Sequence, residues 1–256
     1  MFDDLRAAGR QARLLGRAEH RPWPLPAQGW SLAQTLEDVL LAHWRVPAEA
    51  VRPHVPGELE VDLHDGSAWL GIVGFRTGAV RVRGLLPVPR LSSYLELDVR
   101  TYVRGPDGRP GVWFFSLDAS SRFAVQAARR SYRLPAYHAR IALDRTGEWR
   151  DMECARVAER GKVFSGRYRP GGAVFRAEPG SLEWFLAERY CLYTAGRGSD
   201  LLRAEVHHDL WPLRPAEVEI ELTTIAPLEL RGEPVCHVAE RQDLLAWPLE
   251  RVGESR

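Results

Sequence analysis

Ionisable and aromatic residues alternate with mostly aliphatic ones along residues 93–104, "SYLELDVRTYVR". Because successive side chains of a β-strand point to opposite faces, the polar members are predicted to share one face. These are Tyr94, Glu96, Asp98, Arg100 and Tyr102. If that face meets water, Asp98 and Arg100 form a weak surface pair. If it is buried, the acids and the arginine are costly unless they bind one another or a ligand.

A buried face of this kind could do acid–base and carboxylate chemistry. Glu96, with Asp98 beside it, could act as an acid or base with a shifted pKa. An arginine could hold the carboxylate of a ligand in a charge-assisted pair. Phenol groups such as those of Tyr94 and Tyr102 could orient a carbonyl or hydroxyl group.

A second polar stretch occupies residues 129–143, "RRSYRLPAYHARIAL". The stretch begins with Arg129, and Pro135 introduces a predicted strand that carries Tyr137 and His138. Adjacent strand residues face opposite ways, so Tyr137 and His138 cannot both enter the same cavity. We expect His138 to be a packing or surface residue.

Other possible sites lack supporting patterns. His207 and Asp209 could share a strand face, but two such residues do not make a metal site. Ser116 and Asp118 share a face without a nucleophile elbow. The segment "GRGSD" at 196–200 lacks a phosphate-binding pattern. We therefore predict no metal site and no cofactor.

The composition is that of an ordinary globular chain of 256 residues, 45% of them hydrophobic, with a net charge of +1. So balanced a charge argues against a dedicated nucleic-acid binder. Three widely spaced cysteines favour reduced thiols in the cytoplasm. No transmembrane segment or signal peptide is predicted. A homo-oligomer is left open.

Lysine is almost absent: Lys162 is the only lysine among 35 basic residues. A GC-rich genome explains this bias without selection for guanidinium chemistry. The consequence for mechanism is direct, since a Schiff base requires a lysine or the terminal amine. Lys162 follows a predicted turn, where we expect its amine to be solvated.

Residues 1–28 are predicted to form an N-terminal helical arm and a Pro-rich linker, and residues 29–256 a single mainly β domain. Short apolar runs separated by turn signals predict an antiparallel barrel or sandwich. The predicted strands are 37–46, 59–63, 67–76, 93–104, 111–119, 122–130, 137–144, 150–158, 162–168, 173–177, 204–210 and 217–220. One helix is predicted within "LEWFLAERYCLY" after the capping residue Ser181.

Several long blocks of the chain resemble the YqjF-like family of unknown function. They include "WRVPAEAVRPHVPGELEVDLHDGSAWLGIVGF", "YLELDVRTYV", "GVWFFSLDASS", "LPAYHARI", "SLEWFLAERYCLY" and "HHDLWPL", in the family's order across residues 37–214. That family is similar in fold to acetoacetate decarboxylase. The resemblance implies a β-barrel-like domain with an internal, partly apolar cavity.

The resemblance to acetoacetate decarboxylase also implies which residues of this chain stand at the positions of its active-site residues. Its glutamate-bearing segment resembles "SYLEL", and its arginine block resembles "AARRSYRLPAY", which places the arginine on Arg129. Its two lysine positions then fall on Ala136 and Tyr137, so Schiff-base decarboxylase chemistry is not expected.

Three functions remain open from the sequence. The first is binding of a small carboxylate or amphipathic ligand by Tyr94, Asp98, Arg100, Tyr102, Arg129 and Tyr137. The second is a lyase-type enzyme with Glu96 as acid or base and an arginine clamp. The third is a non-catalytic structural or interaction domain.

Overall fold

The computed structural model describes residues 2–85, 93–196, 198 and 200–253. Half of the chain is strand and 14% is helix. The strands are β1 (Leu32–Val46), β2 (Glu60–Val61), β3 (Ala68–Val82), β4 (Tyr94–Arg104), β5 (Pro110–Ala119), β6 (Ala136–Thr146), β7 (Trp149–Arg156), β8 (Val163–Pro170), β9 (Cys191–Ala195), β10 (Leu201–His207), β11 (Arg214–Thr223), β12 (Val235–Ala246) and β13 (Glu250–Arg251). The helices are α1 (Phe2–Arg13), α2 (Ala48–Val51), α3 (Arg122–Ser131) and α4 (Leu182–Ala187), with 3₁₀ turns at Leu14–Gly16 and Arg52–His54.

Nine strands close into a β-barrel, which confirms the predicted fold class. Their order is β1, β3, β4, β5, β6, β7, β8, β11 and β12, and β12 pairs back with β1. A second circuit leaves β5 through a parallel pairing with β9 and returns through β10 to β12. Both circuits therefore contain β12, β1, β3, β4 and β5, which we call the shared wall.

Each face of the shared wall packs against a different interior. On one face of β4, Leu97 and Val99 join the apolar core of the nine-stranded barrel with Met152 and Phe164. Gly74 makes room there, since a Cβ at that position would lie 2.4 Å from the sulfur of Met152. The opposite face of β4 carries Tyr102, which packs in another cluster with Ala136 of β6 and Leu186 of α4. Strand β4 is therefore enclosed on both sides.

The N-terminal helix is confirmed as α1, and it lies on the shared wall. Gln11 donates a hydrogen bond to Thr35 Oγ1 at 3.2 Å, and Arg10 pairs with Asp243 at 2.9 Å. Farther along, Arg21 is buried against Glu205, with its guanidinium 2.8 Å from the carboxylate. The division into an arm and a single domain stays a prediction.

The strand predicted at 122–130 is wrong, because this segment is helix α3. Ser121 caps the helix by accepting a hydrogen bond from Ala124 N at 3.2 Å. Ala124 and Val125 are buried, whereas Phe123 is 64% exposed. Apolar residues here follow a helical face rather than an alternating one.

The helix predicted from Leu182 is confirmed but ends earlier than its sequence pattern suggests. It stops at Ala187 because Cys191–Ala195 is recruited into strand pairing with β5 and β10. The strand predicted at 173–177 is also wrong: Phe175 forms only an isolated bridge with Leu213. Strands β9, β12 and β13 were not predicted.

Among the described residues, no helix is both long enough and apolar enough to cross a bilayer.

Candidate functional site

The polar face of β4 is buried, so the solvent-facing interpretation of residues 93–104 is wrong. Glu96 and Asp98 are 6% and 5% exposed, and Tyr102 is fully buried. Tyr94 and Arg100 are half-buried. Alternation along a single strand brings these five predicted residues together, and the neighbouring strands and α4 enclose them. We call this set the β4 cluster.

Two adjacent carboxyl groups form the acidic part of the β4 cluster. Burial raises the pKa of Glu96 well above its ordinary value, and the nearby negative charge of Asp98 raises it further. Burial raises the pKa of Asp98 to about 7, although the positive charge of Arg100 opposes the rise. The pair is therefore expected to retain a proton more readily than exposed carboxyl groups do.

Arg100 differs from the buried arginines of the protein in having no carboxylate partner among the described residues. Arg21, Arg156 and Arg189 each contact a carboxylate, at 2.8, 2.8 and 2.6 Å respectively. Within the described part of the chain, Arg100 makes no such ion pair, and its Nε has no hydrogen-bond partner. Asp98 Oδ1 is likewise buried without a partner. The cluster thus has one unmet donor and one unmet acceptor.

A histidine from β1 adds a third unmet group. Tyr102 donates its hydroxyl proton to the Leu186 carbonyl at 3.0 Å, so its oxygen accepts from His43 Nε2 at 2.7 Å. Burial lowers the pKa of His43 well below its ordinary value, and the charge of Arg100 lowers it further. The neutral ring therefore carries its proton on Nε2 and leaves Nδ1 as an acceptor without a partner.

Strand register explains why His43 and Arg100 lie close together. His43 pairs with Gly71 of β3, and Gly71 pairs with Arg100. A Cβ on Gly71 would lie 2.9 Å from the imidazole Cδ2 of His43 and 3.4 Å from the Tyr102 hydroxyl. Because Gly71 has no side chain, the His43 ring can lie against the backbone of β3, with Arg100 paired to Gly71 from the other side.

Two residues predicted to line the site lie elsewhere. Arg129 is exposed on α3, where its Nε donates to the Ala136 carbonyl at 2.8 Å. Tyr137 lies on β6 on the opposite face of the sheet, under the Arg156 guanidinium at 3.8 Å from its ring centroid. Arg156 binds both carboxylate oxygens of Asp118, at 2.8 and 3.0 Å. Neither Arg129 nor Tyr137 contributes to the β4 cluster.

The first of the two lysine positions does lie on the face of the β4 cluster. Asp98 pairs with Leu117, and Leu117 pairs with Ala136, so these three residues form one row across the sheet. Ala136 is thus two strand spacings, or about 10 Å, from Asp98. The lone lysine is elsewhere: Lys162 donates to the Ala226 carbonyl at 3.2 Å.

The sequence did not reveal His43 or Gly71 as members of this site. Their only signal is a histidine within the apolar run "VLLAHWRV" and a glycine in "WLGIVGF". Because the register between β1, β3 and β4 places both residues beside Arg100, periodicity within one strand could not identify them.

Comparison with known proteins agrees with this architecture. The model of the DUF2071 family, described as an uncharacterized conserved protein, matches residues 33–243. The uncharacterized protein YqjF of Bacillus subtilis is 37% identical over 239 residues, which cover 92% of this chain and 98% of that relative.

Two solved structures show the same fold at low sequence identity. Acetoacetate decarboxylase from Legionella pneumophila superposes with a TM-score of 0.61 at 11% identity, covering 92% of this chain and 93% of its own. The enduracididine biosynthesis enzyme MppR, complexed with pyruvate, gives 0.63 at 13% identity, covering 90% and 93%. The chain therefore belongs to the DUF2071 family and has an acetoacetate decarboxylase-like fold.

Proposed function

We propose that this protein binds a small carboxylate at the β4 cluster, with Arg100 holding the carboxylate group. The observation that carries the proposal is the state of Arg100, which forms no ion pair among the described residues and whose buried Nε has no hydrogen-bond partner. A guanidinium enclosed by protein has a strong preference for a carboxylate partner. The charge of Arg100 favours ionised Asp98, but the two side chains form no ion pair among the described residues.

The remaining unmet atoms define a second feature of the ligand. His43 Nδ1 and Asp98 Oδ1 are both acceptors, so they favour a ligand that also carries a hydroxyl or another hydrogen-bond donor. Small hydroxy acids and the hydrated or enol forms of keto acids have this chemistry. The pyruvate complex of MppR shows that a protein of this fold can accommodate a keto acid.

The proposed chemistry excludes an imine at the lysine positions of the decarboxylase. Ala136 and Tyr137 have no amine. Borohydride treatment in the presence of pyruvate or acetoacetate is expected to leave the mass of the chain unchanged. An adduct on Lys162 would contradict this part of the proposal.

Calorimetric titration with lactate, 3-hydroxybutyrate, pyruvate and acetoacetate tests binding. We expect at least one of them to bind the unaltered protein, and Arg100→Gln to weaken that binding at least tenfold. Arg140→Gln is the matched control, because Arg140 is exposed on β6. No binding by any of the four acids, or equal binding by the Arg100 variant, would refute the proposal.

A second candidate function is acid–base catalysis by Glu96. It is favoured by one observation, the burial of Glu96 beside Asp98, which raises the pKa of both carboxyl groups. In a lyase or related reaction, Glu96 would give a proton to a carbanion or leaving group while Arg100 holds the carboxylate.

Proton exchange between solvent deuterium and the carbon next to the carbonyl of bound keto acids, followed by NMR, detects this chemistry. The enzyme hypothesis predicts exchange that Glu96→Gln abolishes while binding persists. Binding without exchange or turnover favours the carrier function, and exchange that survives the substitution removes Glu96 from the mechanism.

A further inference from the structure

A cavity of about 380 Å³ lies at the fork where β6 and β9 leave β5. Strand β9 pairs with β5 only at Val112 and Trp113, and β6 pairs with it only from Leu117 onward. Between these pairings, residues 114–116 have no neighbouring strand on this edge among the strands described. The cavity therefore results from the branching of the sheet rather than from a surface irregularity.

The wall of the fork cavity is largely apolar. Its lining consists of His54, Trp113, Phe114, Phe115, Pro135, Tyr193, Ala195 and Pro227, together with Arg133 and Thr194. The polar atoms of two of these aromatic residues already have backbone partners: Trp113 Nε1 donates to His54 O at 3.1 Å, and the Tyr193 hydroxyl donates to Arg109 O at 2.9 Å. The rings are thus fixed and present hydrocarbon to the cavity.

One cation lies at this cavity without a partner of opposite charge. Arg133 is exposed, and no acid is among the lining residues. Within the portion of the chain that the structure describes, Arg133 forms no ion pair. Arg133 has a φ of 52°, a left-handed conformation that costs about 1–2 kcal/mol in a residue other than glycine.

The backbone of Arg133 is held in this conformation by β9. Thr194 donates its hydroxyl proton to the Arg133 carbonyl at 2.8 Å. The following residues Leu134 and Pro135 then lead into β6. Strain maintained by a specific contact is a feature of ligand-binding segments.

We propose that the fork cavity is a second binding site, which takes an amphipathic monoanion such as an aryl carboxylate. The apolar part packs among Trp113, Phe115 and Tyr193, and the carboxylate binds Arg133. A cavity of this size suits a ligand of about ten non-hydrogen atoms, and mostly apolar walls with few polar groups are typical of ligand sites. The site does not use Arg100, since Arg133 lies on the loop between α3 and β6.

Titration with phenylacetate and with its neutral analogue phenylacetamide tests the proposal. The two molecules have nearly the same shape and differ in charge. We expect phenylacetate to bind at least tenfold more tightly than phenylacetamide. Arg133→Gln is expected to lower phenylacetate affinity to that of the amide.

Three variants distinguish this site from the β4 cluster. Arg130→Gln removes a nearby exposed charge on α3 and is expected to leave binding unchanged. Arg100→Gln is also expected to leave it unchanged. Ala195→Trp fills the cavity from an exposed position and is expected to abolish binding of both probes, which provides a test independent of Arg133.

The contrary results are equally specific. Loss of phenylacetate binding in Arg100→Gln but not in Arg133→Gln would place the ligand at the β4 cluster and overturn the second site. Equal affinity for the acid and the amide would overturn the role of Arg133. Binding that survives Ala195→Trp, or no binding at all, would overturn the cavity as a ligand site.

Discussion

Two acid–arginine groups lie on opposite faces of the shared wall. They differ in whether the acid and the arginine form an ion pair with one another. On the barrel-core side, Asp118 is fully buried and both of its oxygens bind Arg156, whose guanidinium also stacks on Tyr137. On the other side, Asp98 and Arg100 each keep a polar atom without a partner. We call the first group closed, because the charges of Asp118 and Arg156 meet one another. We call the second open, because it retains unpartnered polar atoms, and it is the group at which we propose that a ligand binds.

The largest change in stability is expected from breaking the closed pair of Asp118 and Arg156. Asp118→Asn removes the buried carboxylate partner of Arg156 and leaves it only the more exposed Glu159 at 3.0 Å, and we expect the free energy of unfolding to fall by about 3 kcal/mol. Urea denaturation measures this change. Asp144→Asn is the control, because Asp144 is exposed on β6 and should change stability by less than about 0.5 kcal/mol. A loss below about 1 kcal/mol in Asp118→Asn would show that the pair is not a stability element.

The open group is expected to respond to pH. Asp98 has a pKa raised from 3.8 to about 7, so its stabilising contribution is present below about pH 4 and is lost as pH rises through 7. Asp98→Asn cannot ionise at this position. The unfolding free energy of the unaltered protein, relative to this variant, is therefore expected to decrease between pH 4 and pH 8, by at most roughly 4 kcal/mol.

Urea denaturation across that range gives both curves. Only the change in their separation with pH is informative, since the asparagine itself adds a constant offset. Parallel curves would mean that Asp98 titrates as an exposed carboxylate, and they would contradict its raised pKa.

The smallest expected effect is that of removing the unpaired cation. Without a carboxylate partner to abandon, Arg100→Gln should change the unfolding free energy by no more than about 1 kcal/mol in the absence of ligand. Arg156→Gln, the matched substitution on the other face, should cost about 3–5 kcal/mol. Thermal and urea denaturation of the two variants compare them directly, and equal losses would remove the distinction between closed and open groups.

The sequence predicted the members of the β4 cluster because alternation within one strand decides which side chains share a face. It could not decide whether that face was buried, since the answer depends on β3, β5 and α4. His43 entered the site through pairing across β1, β3 and β4, and Tyr137 was placed on the other face by its register with Asp118. Register between distant segments has no short-range signal.

Local signals also misled where two elements competed. The segment after Ser121 contains apolar residues that suit either a strand or a helix, and only the cap to Ala124 and the burial of one helical face distinguish them. The resemblance to a known family identified the fold and the lysine positions. It did not place Arg129, because an arginine aligned in sequence can still project from a helix into solvent.

The shared wall makes β4 intolerant of single-residue insertions and deletions. Its side chains alternate between two interiors, so a shift of one position would send Glu96 and Asp98 into the apolar barrel and bring Leu97 and Val99 to the polar side. Both interiors would be damaged by one change. Such a strand can vary in length only by pairs of residues, whereas the turn at Gly147 and Glu148 between β6 and β7 is not constrained in this way.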